Sequence, residues 1–159
     1  MLNLPSRNGG GEKFSLRGRP VAAPLAPAFD RDAFAAAHVV RDPLSSLPGD
    51  IDWEATLAFR RHLLSCGFGI AEAMDTAQRG MGLSPGQAME LISHTVADTE
   101  ERARDRIYGG VGTDSLPDDA PAALGAVVGA YEAQLAEVQR SGAGVILMAS
   151  RALARAAQS

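Results

Sequence analysis

"GFGIAEAMDTAQRGMGLSPGQ", residues 67–87, decides how this chain is read. Residues 67–73 form a short apolar run, the mark of a strand buried on both faces rather than one lying half in solvent. Asp75, Thr76, Gln78 and Arg79 follow at once, then two glycines. Ser84 next offers a helix cap, with Pro85 suited to the first turn and Gln87 placed to complete a capping box. The chain thus puts its densest polar cluster just past a buried strand. In parallel α/β folds that is where ligands are bound, in the loops at the carboxyl ends of the strands.

The same alternation extends in both directions. Upstream, "AFAAAHVV" (33–40) reads as a buried strand, and "IDWEATLAFRRHLLSCG" as a helix capped by Asp52 and stopped by Gly67. Trp53, Leu57 and Leu64 recur there at helical spacing. Downstream, the helix opened by Ser84 carries Met89, Ile92 and Val96 on its inner face. "RIYGGVG" is a third strand, and "APAALGAVVGAYEAQLAEVQRSG" a third helix with a stripe of Leu124, Val127, Val128, Tyr131, Leu135 and Val138. "AGVILMA" is a fourth strand, and "SRALARAAQS" begins another helix. Strands therefore start near residues 33, 68, 106 and 143. Strand–helix alternation of this regularity means a parallel sheet with helical crossovers. Two α/β architectures fit: a doubly wound sheet, or the N-terminal half, about four βα units, of a (β/α)8 TIM barrel, a fold of ~250 residues when whole.

Composition narrows the class of partner. A net charge of −4 and a pI near 5.3 leave no dominant basic surface for nucleic acid or an anionic membrane. The apolar run at "GVILMA" falls far short of the ~20 residues of a membrane helix. The amino terminus has no apolar signal core, and the single cysteine, Cys66, has no internal partner. A cytoplasmic protein is expected. Residues 1–28, with "RNGGGEK" and the Pro/Ala-rich "RPVAAPLAPAF", read as a flexible or extended leader before a body at 29–159.

Six residues are expected to bind substrate: Asp75, Thr76 and Arg79 after the second strand, Asp114 after the third, Ser150 and Arg151 after the fourth. Either arginine could hold a carboxylate or phosphate through its planar fork. Glu72, inside the second strand, points either into a barrel or toward a helix. His38, within the first strand, is read as a core histidine or a lining residue. His62 and His94 lie on helices as surface or packing residues. "GVGTD" lacks the spacing of a dinucleotide loop. Neither a zinc-ligand spacing nor a G-x-S-x-G elbow occurs, and no cofactor or metal is expected.

On these motifs the chain resembles the dihydrodipicolinate synthase and N-acetylneuraminate lyase superfamily, and more closely an uncharacterised bacterial branch of it. The resemblance rests on "IDWEATLAFRRHLLSCGFGIAEAMDTAQRGMGLSPGQ", on "YGGVGTDS" and on "GAGVILMAS", and it runs over residues 33–155. It implies a (β/α)8 barrel and class I aldolase chemistry on a small anionic carbonyl substrate such as an oxo acid; a homo-oligomer is expected. In that chemistry a lysine forms a Schiff base, a tyrosine relays protons and a Thr-Thr pair grips the carboxylate. Aligned through Leu83, Thr76 matches the first threonine, whereas Ala77, Gln78 and Arg79 stand where the second threonine, a glycine and a glutamate are usual. Of the 15 lysines and arginines only Lys13 is a lysine, and it lies in the leader. The family's lysine and tyrosine belong to later strands, past Ser159. The expected activity is therefore that of a longer protein, this chain alone being inactive; the alternative is a non-catalytic half-barrel or small anion-binding domain that closes by homodimerisation.

Overall fold

A computed structural model describes residues 2–5, 9–14, 31–41, 50–74, 78–79, 82–117 and 122–157. Strands β1 (Leu2–Pro5) and β2 (Gly11–Phe14) pair antiparallel. Part of the segment expected to be a flexible or extended leader is thus a pair of antiparallel strands, with Lys13 opposite Asn3.

The body is a four-stranded parallel sheet in the order β3 (Phe34–Ala35), β4 (Gly69–Glu72), β5 (Ile107–Val111) and β6 (Gly144–Leu147). Helices α1 (Trp53–Ser65), α2 (Pro85–Asp98) and α3 (Leu124–Ser141) make the crossovers, and α4 (Arg151–Ala156) follows β6. A short 3-10 helix, Glu101–Arg106, leads into β5. Each crossover moves one strand along the sheet in the same direction. Since such connections share one hand, the helices fall on one face. Contacts between α1 and α2 and between α2 and α3 agree. A doubly wound sheet reverses its strand order partway; these four strands do not.

The capping signals in the sequence are met. Asp52 Oδ1 accepts from Ala55 N at 2.9 Å. Ser84 and Gln87 complete a reciprocal box at the start of α2. Ser150, expected as a substrate-binding residue, also caps α4, its Oγ accepting from Leu153 N at 3.0 Å. The core lies between sheet and helices, around Ile70, Leu91, Ile92, Ile107, Val111 and Val138. The two glycines in the middle of β5 serve opposite faces. A Cβ on Gly109 would come within 2.8 Å of Val138 and 2.9 Å of Ile92, so glycine lets α2 and α3 sit close. A Cβ on Gly110 would meet Met74 at 2.7 Å and Met148 at 2.8 Å on the other face.

Two expectations need correction. The fully buried residues of α1 are polar, Thr56 and Arg60, while Trp53 and Leu64 pack against the core only partly buried and Leu57 is half-buried. Leu124 and Val128 of α3 are exposed, and Gln134 is buried in the stripe. The cause at α1 is Glu72, which is fully buried on the helix side of β4 and does not line the opposite face. Arg60 Nε and Nη2 donate to its two oxygens at 2.9 and 2.8 Å, and Thr95 of α2 adds a hydroxyl at 2.7 Å. Arg60 also donates to the carbonyls of Ala37, His38 and Thr56. Beyond Ala35 the first predicted strand has no strand partner among the described residues; instead Arg60, Gln78 and Thr56 bond its backbone. His38 itself is exposed and so is not a core histidine, while Ala37 and Val39 on either side of it are buried.

Breaking a buried pair strands the remaining charge, at a cost of ~3–5 kcal/mol. Glu72→Ala is expected to lose about that much in urea unfolding. Asp98→Ala, which breaks the exposed Arg61–Asp98 pair, should lose ~0–1 kcal/mol. Equal losses would refute a structural role for the Arg60–Glu72 pair.

Candidate functional site

Two clefts flank the sheet at opposite ends of its strands. The smaller is lined by Phe34, Gly69, Arg106 and Tyr108 near the amino ends. The larger, of about 630 Å³, lies where β5 and β6 end and α2 and α4 begin. It is lined by Arg79, Ser84, Thr113, Asp114, Ser150 and Arg151, among others. Parallel α/β folds bind ligands at the carboxyl ends, which singles out the larger cleft.

Arg79, Asp114, Ser150 and Arg151 are therefore brought together, although three different loops carry them. Asp75 and Thr76 lie outside the described residues. Glu72 and His38 are not among the residues lining the cleft.

Arg79 is buried and its guanidinium is committed within the protein. Nε and Nη2 form a fork onto Asp114 Oδ2 and Oδ1, at 3.1 and 2.9 Å. Nη2 also donates to Gln134 Oε1 at 2.7 Å. Nη1 donates to the carbonyls of Ala73 at 3.0 Å and Gly110 at 2.6 Å. A guanidinium has five N–H donors, and these contacts occupy all of them. Arg79, expected as a clamp on a substrate anion, is here the strut that positions Asp114. The bare backbone of Gly110 gives it room: a Cβ there would sit 3.1 Å from Nη1.

Gln134, absent from the sequence-based candidates, completes the assembly. From α3 its Nε2 donates to Asp114 Oδ1 at 2.6 Å, and its Oε1 accepts from Gly112 N at 2.8 Å. The clue in the sequence was a glutamine inside an otherwise apolar helical stripe, where a buried amide requires partners. Ala73 is held in turn by both buried arginine networks. Its φ is +54°, uncommon without glycine; its N–H donates to Glu72 at 3.0 Å while its carbonyl accepts from Arg79.

Burial by itself would raise the Asp114 carboxyl. The hydrogen bonds from Arg79 and Gln134, the Arg79 charge and its own backbone N–H outweigh that and hold it below the ordinary carboxylate range. Asp114 therefore presents an ionised carboxylate whose side chain keeps 19% exposure. In the same cleft Thr113 Oγ1 and Ser150 Oγ share a hydrogen bond of 2.5 Å. Arg151 is exposed and makes no hydrogen bond or ion pair among the described residues. No group of three or more histidines, cysteines and carboxylates able to hold a metal occurs among the described residues. Nor is any described helix long and apolar enough to cross a membrane.

The family described as "Protein of unknown function (DUF993)" matches the chain over residues 2–159. No curated protein matches it.

Folding favours the ionised form of Asp114, so its charge stabilises the fold above the ordinary aspartate value of ~3.9. That contribution fades as pH falls through the lower folded-state value. Asp114→Asn is expected to be less stable than wild type near neutral pH and to approach it as pH falls below the ordinary aspartate range. Urea midpoints across that range check this; a gap independent of pH would leave Asp114 with no charge contribution. Arg79→Met orphans a carboxylate, an amide and two carbonyls at once. It should lower the melting temperature markedly, in contrast to Arg151→Met, which should leave it nearly unchanged.

Proposed function

The chain belongs to the DUF993 family, and within it we propose that this chain is the amino-terminal half of a (β/α)8 barrel of the aldolase or lyase type. Its substrate is a small anionic carbonyl compound, an oxo acid or a sugar-derived carbonyl, bound in the cleft at the carboxyl ends of the strands. The observation that carries the reading is topological. Four parallel strands run in sequential order with helices on one face, and the polar residues of three successive strand ends gather in one cleft. A (β/α)8 barrel builds its active site in this way. The resemblance to the dihydrodipicolinate synthase superfamily points to the same class.

Schiff-base catalysis requires an amine that can be populated in its free form within the site. Lys13 lies on the amino-terminal strand pair and is not among the cleft residues. The Tyr131 hydroxyl donates to the carbonyl of Met148 at 2.6 Å, beneath the strand end. The nucleophile and the proton relay are therefore assigned to later strands of a longer product. Here the chain supplies binding groups: Asp114, Ser150 and Arg151, with Asp75 and Thr76 carried forward from the sequence.

A second reading has its own support at the open edge of the sheet. Met148 N bonds to Val111 O on β5 at 2.8 Å, so strand alternation turns the backbone groups of Val145 and Leu147 away from β5. Leu147 is 68% exposed, with Leu124, Val128 and Leu153 also exposed on α3 and α4. Such an edge invites another strand, and a second copy could supply it, giving a half-barrel homodimer that binds anions without the lysine chemistry.

Reduction with borohydride in the presence of pyruvate tests the first reading. This chain alone should gain no adduct, whereas the product of an extended reading frame should gain one reduced pyruvate on a strand-borne lysine. An extended product that traps neither pyruvate nor other oxo acids would refute the aldolase assignment. Light scattering tests the second reading: a mass of twice 16.6 kDa supports closure by a second copy, and a monomer removes it.

A further inference from the structure

We propose that the cleft selects an anion that also carries a hydroxyl group, with Asp114 accepting the hydroxyl and Arg151 holding the anionic end. This rests on the reading of the cleft as the ligand site and specifies its substrate class.

The geometry of Asp114 supplies the first half of the selectivity. A carboxylate has about four acceptor positions. Oδ1 already takes hydrogen bonds from Arg79 and Gln134, while Oδ2 takes one from Arg79 Nε. Oδ2 is thus the oxygen with capacity left for a donor, and the residue both lines the cleft and keeps part of its side chain exposed. A carboxylate already ionised and anchored by a buried fork cannot accept an anion, and it loses little freedom on taking a donor.

The candidate donors are a hydroxyl and an ammonium, and the strut decides between them. Arg79 lies bidentate on the same carboxylate, so the Asp114 charge is already neutralised at short range. An ammonium drawn to Oδ2 would approach the guanidinium as well, and like charges at close range repel more strongly in a buried setting. A neutral hydroxyl gains a charge-assisted hydrogen bond without that repulsion. The paired hydroxyls of Thr113 and Ser150 extend the polar wall beside it. They can exchange their mutual hydrogen bond for bonds to further hydroxyls.

Arg151 supplies the second half. It lines the same cleft, is exposed, and has no hydrogen-bond or ion-pair partner among the described residues. Its guanidinium is therefore available where that of Arg79 is not. Pyruvate would satisfy Arg151 alone, and a neutral polyol Asp114 alone. A hydroxylated carboxylate satisfies both.

Calorimetry on the purified chain with three probes tests this: gluconate, a carboxylate with hydroxyls; pyruvate, a carboxylate without; and sorbitol, hydroxyls without charge. Gluconate is expected to bind at least about tenfold more tightly than either of the others, the scale of one hydrogen bond to a charged group. Arg151→Met should erase the advantage over sorbitol, and Asp114→Asn, checked for folding by circular dichroism, the advantage over pyruvate. Wild-type binding of pyruvate as tight as that of gluconate would overturn the hydroxyl inference alone and leave the anion cleft standing, whether or not Asp114→Asn folds. Failure of all three probes to bind would overturn the inference together with the cleft's assignment as a ligand site. Loss of borohydride trapping in the extended product would instead strike only at the aldolase reaction.

Discussion

Arg79 holds the candidate site in place from inside the fold. Its five donors reach the end of β4 through Ala73, the middle of β5 through Gly110, the loop after β5 through Asp114, and α3 through Gln134. A guanidinium suits this position because it stays charged and its planar fork spans a carboxylate while other donors reach carbonyls. Because every donor is matched, the charge can remain buried, and because the acceptors belong to different elements, the strand ends share one geometry. Preorganisation of this kind is what a binding site asks of its supporting residues.

A second arginine does related work on the helix face. Arg60 anchors Glu72 and the backbone after β3, where the sheet ladder has already ended. Two buried guanidiniums therefore flank the end of β4, one on each side, and Ala73 between them is held in a left-handed conformation by hydrogen bonds to both networks. This organisation explains the helix that sequence periodicity read least well. A stripe carrying Thr56 and Arg60 reads as a polar face of α1, yet it is the inner one, because Glu72 lies beneath it.

The proposed selection of substrate follows from how the charges are divided. Of the arginines that sequence reasoning placed at the strand ends, one is consumed in supporting a carboxylate and the other is exposed. Their opposite fates turn a cleft expected to be simply anion-binding into one lined by both an acceptor and a cation. The same division makes Asp114 ionised in spite of its burial.

The sequence alone determined the strand–helix alternation, because buried strands and amphipathic helices announce themselves through the period of their apolar residues. It also determined the caps at Asp52 and Ser84, since capping depends on neighbours a few positions away, and it placed Arg79, Asp114, Ser150 and Arg151 at one end of a parallel sheet. It did not show the antiparallel pairing of Leu2–Pro5 with Gly11–Phe14, where glycines suggested flexibility. Only the tertiary structure decided which face Glu72 takes, that His38 is exposed, that Gln134 joins the site, and that Arg79 supports it while Arg151 is open to the cleft. The physical reason is the same in each case. A polar side chain's role is set by the partners within hydrogen-bonding reach, and here they lie on elements distant in sequence, as with Arg79 and Gln134, 55 positions apart.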